Sequence, residues 1–195
     1  MKRISAIVIT LLALAGCATP MSGSWVTLFD GTTLTNFNRV GDANWRMEDG
    51  AAVANAGSGF LVTKEPYGDF EMVAEFWADT DTNSGIFIRC NDAAKITATG
   101  CYEVNIWDAR PDPNYGTGGI VNVAMVYPMP RAGGKWNSMH IYAIGDRMIV
   151  YLNGAVTVDV RDAKLKGGPI ALQFGEVKGK PAVVKFRRVA IRPIG

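Results

Sequence analysis

Apolar and polar residues alternate along this chain in short runs. Phe60–Lys64, Phe70–Ala78, Gly85–Cys90, Cys101–Trp107, Ile120–Tyr127, Met139–Ile144, Met148–Leu152, Ile170–Phe174 and Val183–Ile191 are each rich in β-branched or aromatic residues. Strand side chains point to opposite faces with period two, so runs of this length read as strands with one packed face. Between them lie Asp49-Gly50, Gly145-Asp146, Asn153-Gly154 and Gly167-Gly168. Such pairs tolerate positive φ and signal hairpins. No long stretch carries a 3.6-residue apolar period. Isolated helical turns are expected only in Asp92–Thr99 or near Asp162–Leu165. Many short strands and 22 glycines predict an all-β fold, a two-sheet antiparallel sandwich.

The stretch Asn83–Asp108 departs from a simple inside-out alternation. It reads NSGIFIRC, a polar link, then CYEVNIWD. By parity Phe87 and Arg89 share one face of the first run, opposite Ile86 and Ile88. Glu103, Asn105 and Trp107 share one face of the second run, opposite Tyr102, Val104 and Ile106. One side of this pair is apolar. The other carries a guanidinium, a carboxylate, an amide and aromatic rings, a combination suited to sugar. The loop Pro111–Gly119 follows directly, with Arg110 before it, and can wall a pocket beside these residues.

The N-terminus changes the charge picture. Lys2 and Arg3 precede the apolar run Ile4–Leu14, and Leu14-Ala15-Gly16-Cys17 fits a bacterial lipoprotein cleavage site. This run of eleven residues, interrupted by Ser5 and Thr10, is too short to span a bilayer, which takes about 20. The expected organisation is a signal peptide over 1–16, a lipidated Cys17 with a short tether over 17–24, and one domain over 25–195. Ala18 after the Cys points to the periplasmic face of the outer membrane, and the membrane is reached through the lipid alone. A seven-residue tether extends roughly 23 Å, which keeps the domain close to the lipid. The chain has 20 Lys+Arg and 18 Asp+Glu, and losing Lys2 and Arg3 leaves the two equal. With no basic run, a nucleic-acid partner is not expected. Composition leaves the oligomeric state open.

Cys90 and Cys101 remain after lipidation, in a compartment that permits a disulfide. Their short separation favours a bridge. Ideal strand parity opposes it by turning the two to opposite sides. Asp79-Thr80-Asp81-Thr82-Asn83 begins like a calcium loop, but its glycine falls one place late and Cys90 stands where a carboxylate is needed. No metal is expected. His140 is the sole histidine, which excludes a multi-histidine metal centre, and no nucleophile-elbow motif accompanies it. Glu103 and Asp108 are five residues apart, so an ideal strand splits them between faces. That spacing argues against the paired carboxylates of an ordinary retaining glycosidase.

NSG followed by an apolar strand ending in Arg89, then YE-x-N-x-x-D at Tyr102–Asp108, resembles the 3-keto-disaccharide hydrolase domain family. LFDG at Leu28–Gly31, Trp45–Gly50, YGDFEMVAEF at Tyr67–Phe76, KWN at Lys135–Asn137, LNG at Leu152–Gly154, GGPIALQFG at Gly167–Gly175 and VKFRRVAIRP at Val184–Pro193 agree in order. The resemblance covers nearly all of Trp25–Pro193. It implies a concanavalin-like jelly roll and cleavage of 3-keto-glycosides or 3-keto-disaccharides without a cofactor. A ketone at C3 acidifies the C2 proton, a base removes it, the C1 substituent leaves, and water adds to the enone.

Under this resemblance Glu103 is the base, Arg89 the oxyanion or hydroxyl clamp, and Asp108 the aid to leaving-group departure. Asn83, Asn105, Trp107 and Gln173 are the expected substrate-binding residues. Asn105 stands where the family commonly has Gln, and Val121 stands where a Tyr is often found. The resemblance assigns Trp25, Trp45 and Trp136 to the core, leaving Trp107 and Trp77 for stacking on sugar. The alternative reading is a carbohydrate-binding lipoprotein of the cell envelope without catalysis. The lipobox sets the first test. Cys17→Ala is expected to move the protein from the membrane to the soluble fraction, and unchanged fractionation would count against the anchor.

Overall fold

The computed structural model describes residues 23–180 and 182–195. The leader segment and Cys17 lie outside the described residues. Among the described residues thirteen strands build two antiparallel sheets: β1 (Val26–Phe29), β2 (Phe37–Gly41), β3 (Arg46–Glu48), β4 (Ala51–Ala54), β5 (Gly59–Thr63), β6 (Asp69–Ala78), β7 (Asn83–Ile88), β8 (Tyr102–Ile106), β9 (Trp136–Ile144), β10 (Arg147–Leu152), β11 (Ala155–Arg161), β12 (Ala171–Gly175) and β13 (Val184–Ile194). The larger sheet runs β11-β10-β9-β6-β13-β4-β3, with β1 also on β13; the smaller runs β2-β5-β12-β7-β8.

The alternation seen in the sequence supplies the core. Phe70, Met72, Ala74 and Phe76 of β6 face inward beside Met139 and Ile141 of β9 and Phe186 of β13. Leu61, Leu172, Phe174, Ile86, Ile88, Tyr102, Val104 and Ile106 meet them from the smaller sheet. Each fully buried side chain of this kind contributes roughly 1.5–3 kcal/mol. Two-residue turns close the hairpins. Asp49 and Gly50 both have positive φ between β3 and β4, as do Asn153 and Gly154 between β10 and β11.

Two expectations for local structure need correction. Ile120–Tyr127 forms no strand. It makes isolated bridges from Ile120 to Val104 and Ala124, and Asn122 sits at positive φ. Its apolar residues line a packed loop, not a sheet face. Asp92–Thr99 and Asp162–Leu165 contain no helix among the described residues, and a single 3₁₀ turn occurs at Pro113–Tyr115 inside the long loop. There Asp112 caps the turn by accepting from the Asn114 backbone N–H.

Arg89 breaks the strand parity read from the sequence. Its φ is +53°, in the left-handed region. Phe87 pairs with Glu103 and Ile88 with Tyr102, but beyond Arg89 the backbone pairs Asn91 with Gly100, one residue out of step. Arg89 is therefore the extra residue of a bulge. The bulge turns its guanidinium off the Glu103 face. Nη2 bonds Asp69 at 2.8 Å, and Nη1 donates to the carbonyls of Gly145 and Leu165 at 2.8 and 3.3 Å. The bulge also brings Cys90 opposite Cys101, with Cα atoms 4.2 Å apart, and the two form a disulfide. The parity argument against that bridge failed because it assumed an unbroken strand.

Arg89 is completely buried and links β7 to the start of β6 and to the β9–β10 turn. Arg89→Ala strands those acceptors and is expected to lower unfolding free energy by about 3 kcal/mol. Urea denaturation checks this, and a loss near zero would show that the ion pair anchors nothing.

Candidate functional site

The outer face of the smaller sheet is assembled in lateral rows. Glu103 lies across from Phe87, which lies across from Ala171 and then Val62. The next row runs Asn105, Gly85, Gln173, Phe60, Val40. Phe87 and Phe60 touch edge to face, with centroids 5.3 Å apart. Together with Val62, Cys90, Ile96, Cys101 and Ala171 they form a second apolar cluster outside the main core. The disulfide holds the Asn91–Gly100 loop against this face.

Gly85 leaves a gap in the second row. A Cβ there would lie 3.3 Å from Cγ of Glu103 and 3.5 Å from Oε1. Glu103 therefore leans over the glycine between Asn105 and Gln173. Its exposure is 6%. Burial, opposed by the charge of Arg110, pushes its carboxyl up to about 7 from an ordinary 4.5. A carboxyl poised there can take a proton and give it back near neutral pH.

Two more acceptors flank it. Asn105 donates from Nδ2 to the Tyr115 carbonyl at 2.6 Å, which leaves its buried Oδ1 without a partner. Gln173 Oε1 is likewise buried and unpartnered. Leaving such atoms unpaired costs roughly 1–3 kcal/mol each, so a donor, whether a water or a ligand hydroxyl, is due at both. Sugar hydroxyls are donors of the right kind. Asn83 lies further along the same face and lines a hollow of about 410 Å³ with Val40, Phe60, Lys95, Ile96 and Gln173. Trp107 is half-buried at the exit of β8, with the Arg110 guanidinium 5.8 Å from its ring centroid.

Glu103, Asn105, Gln173, Asn83 and Trp107 thus share one face. Arg89 and Asp108 do not join them as reagents. Arg89 is committed at the end of the sandwich. Asp108 accepts from the Thr117 hydroxyl at 2.6 Å and from the backbone N–H groups of Ala132 and Gly133, both at 2.9 Å. Its carboxylate ties two loops together and has no role left at a sugar. Sequence reasoning missed Arg110, the cation that faces Glu103. The only signal was its place at the head of the long loop. It also missed Gly85 as a deliberate gap, although that residue sits in the NSG motif. Trp45 is buried as expected, whereas Trp25 and Trp136 are exposed on the larger sheet. Among the described residues no group of three or more His, Cys, Asp or Glu side chains is placed to hold a metal.

A two-sheet jelly roll presenting a desolvated carboxyl among unpartnered amide oxygens is a carbohydrate-associated domain of the glycosyl hydrolase-like kind. The chain belongs to the family of 3-keto-alpha-glucoside-1,2-lyase-like domains, whose model matches residues 24–192. Two solved structures from Parabacteroides distasonis ATCC 8503, both described as candidate glycosyl hydrolases, share its architecture. One is 25% identical with a TM-score of 0.71, covering 88% of this chain and 100% of that one. The other is 18% identical with a TM-score of 0.74, covering 89% and 94%. The carbohydrate-binding module CBM66 from Bacillus subtilis has the same fold at 17% identity and a TM-score of 0.57, covering 86% and 94%. Comparison with curated protein sequences returns no match.

The raised Glu103 carboxyl has a consequence for stability. Between pH 4.5 and about 7 the unfolded chain has released this proton and the folded protein still holds it. Stability therefore falls as pH rises through that window, by about 3 kcal/mol in total, and levels off above it. Glu103→Gln is expected to abolish this contribution and to stabilise the fold at pH 8. Denaturation midpoints measured across pH for the two proteins test it, and parallel profiles would refute it.

Proposed function

We propose that the domain cleaves 3-keto-glycosides by elimination, with Glu103 as the single carboxyl that moves the proton. The observation that carries this reading is the isolation of Glu103. It is desolvated, raised to about 7, and its nearest acidic neighbour along the strand, Asp108, is fully occupied by loop contacts. Conventional glycosidases need two free carboxyls across the scissile bond. A 3-keto-sugar needs one base.

In this scheme Glu103 takes the proton from C2, and the electron pair moves through C2–C3 onto the ketone oxygen. Arg110 supplies the positive charge that the resulting enolate requires, the role first assigned to Arg89. Collapse of the enolate forms the C1–C2 double bond and breaks the bond from C1 to the departing oxygen. Protonated Glu103 returns its proton to that oxygen, so no second acid is needed. Water adding to the enone completes a net hydrolysis; release before that step makes the reaction a lyase. Asn105 Oδ1 and Gln173 Oε1 accept ring hydroxyls, Asn83 holds the distal part of the substrate, and Trp107 offers a stacking face. The sequence before the domain supports placing this activity on a lipid tether at the periplasmic face of the outer membrane.

A binding module without turnover is the competing reading, because unpartnered acceptors serve binding as well as catalysis. Glu103→Gln separates the two. Turnover of a 3-keto-glycoside is expected to fall about 10²–10⁴-fold with binding retained, and in the wild type kcat/KM rises with pH as the carboxyl ionises near 7. Deuterium from solvent is expected at C2 of the hydrated product. Equal cleavage of the unoxidised parent glycoside would defeat the scheme, and tight binding of every 3-keto probe without turnover would favour the binding module.

A further inference from the structure

A second hollow lies on the opposite side of the molecule. It has a volume of about 530 Å³ and is lined by Trp25, Thr27, Phe29, Asp30, Val73, Arg188 and Ala190. Two bulges create it. Register slips by one residue between Arg187 and Val189 against β6, and between Thr27 and Phe29 on β1 against β13. Both slips flank Val189. The floor row is Thr27, Ala190, Val73, and these small side chains leave the outer face sunken.

The wall of the hollow is built to stand still. Trp25 is 45% exposed, with the Arg192 guanidinium 5.3 Å from its ring centroid. Arg192 bonds the buried carboxylate of Glu71, whose other oxygen meets His140 Nε2 at 2.7 Å. A chain of three side chains thus fixes the indole from behind. Asp30 is fixed as well. It accepts from the backbone N–H and the hydroxyl of Thr32 at 3.0 and 2.6 Å, and these bonds hold its carboxyl below the usual range.

Arg188 stands at the rim with its side chain 79% exposed, touching Glu75 only at 3.4 Å. It is the extra residue of its bulge and sits at φ +52°. A non-glycine residue there is strained, and such strain persists where the surroundings or a ligand clamp require it.

We propose that this hollow is a second carbohydrate site that takes a neutral sugar unit and is independent of the Glu103 face. The sugar's apolar face stacks on Trp25, Asp30 accepts from a pair of adjacent hydroxyls, and Arg188 donates to a third oxygen. A phosphate or other anion would be repelled by Asp30. An acyl chain would leave both Asp30 and Arg188 without use. A preorganised aromatic wall lowers the ordering cost of binding, and it gives the Arg192–Glu71–His140 chain a purpose on an otherwise open sheet.

The test uses the full chain carrying Gly85→Leu, which fills the gap beside Glu103 and silences that face. Cellotetraose, maltotetraose and laminaritetraose are titrated against it, with tryptophan fluorescence and calorimetry as readouts. At least one is expected to bind with a stoichiometry of one. Trp25→Ala is expected to weaken that binding roughly tenfold, and Asp30→Asn to weaken it as well. Arg188→Gly relieves the left-handed strain, so it is expected to keep or raise the melting temperature while weakening binding. Loss of binding together with loss of the fold in Trp25→Ala leaves the decision to Asp30→Asn and Arg188→Gly. No binding of any tetrasaccharide to the wild-type protein, or binding left unchanged by Asp30→Asn and Arg188→Gly, would overturn the proposal. Wild-type turnover of 3-keto-glycosides, present or absent, bears only on Glu103.

Discussion

A fully buried guanidinium must find its hydrogen bonds inside the protein, and the two Nη groups of Arg89 find them in three separate segments, while its Nε is left without a partner. Asp69 opens β6, Gly145 turns β9 into β10, and Leu165 lies in the connection to β12. The larger sheet and the smaller one are thereby pinned at one end of the sandwich. To reach these partners the chain must leave the strand alternation, which it does by entering the left-handed region at Arg89. That single backbone excursion then sets Cys90 against Cys101, and their bridge locks the start of β8 beside β7. The register that puts Glu103 across from Phe87 and Asn105 across from Gly85 follows from it.

The face so positioned carries a cost in stability. A carboxyl raised to about 7 by burial lies beside amide oxygens of Asn105 and Gln173 that are buried without partners. Each such atom is costly to leave without a donor. The apolar surroundings that raise Glu103 are the same Phe87, Val62 and Ala171 rows that cover the outer side of the smaller sheet. Desolvation and packing are here one effect. The nearby cation, Arg110, comes from the loop and moderates the shift without cancelling it.

The larger sheet solves a different problem on its outer side. Its charged residues are mostly paired across strands, as in Arg187 with Glu75 and Arg147 with Asp159. Such exposed pairs contribute little to stability, yet they fix long side chains in place. Arg187 lies 4.0 Å from the ring centroid of Trp136, and Arg192 backs Trp25. Indoles that would otherwise swing freely are held as rigid plates. Two bulges then interrupt this lattice and open the hollow beside Trp25.

What the sequence determined is what local chemistry controls. Period-two runs marked β5 to β10, β12 and β13, and the Asp-Gly and Asn-Gly pairs marked their turns, because alternation and positive φ are properties of neighbouring residues. The motif around Glu103, Asn105 and Trp107 was legible for the same reason, and so was the sandwich. Short or mixed strands such as β1 and β3 were not, since their burial depends on which sheet edge receives them. Ile120–Tyr127 misled because loop packing consumes apolar residues as readily as a strand does. The roles of Arg89 and Asp108 were decided only in three dimensions. A bulge turned one away, and backbone N–H groups from residues 132 and 133 claimed the other. Arg110 meets Glu103, and Glu71 meets Arg192 and His140, through contacts between separate strands and loops, which no spacing along the chain encodes.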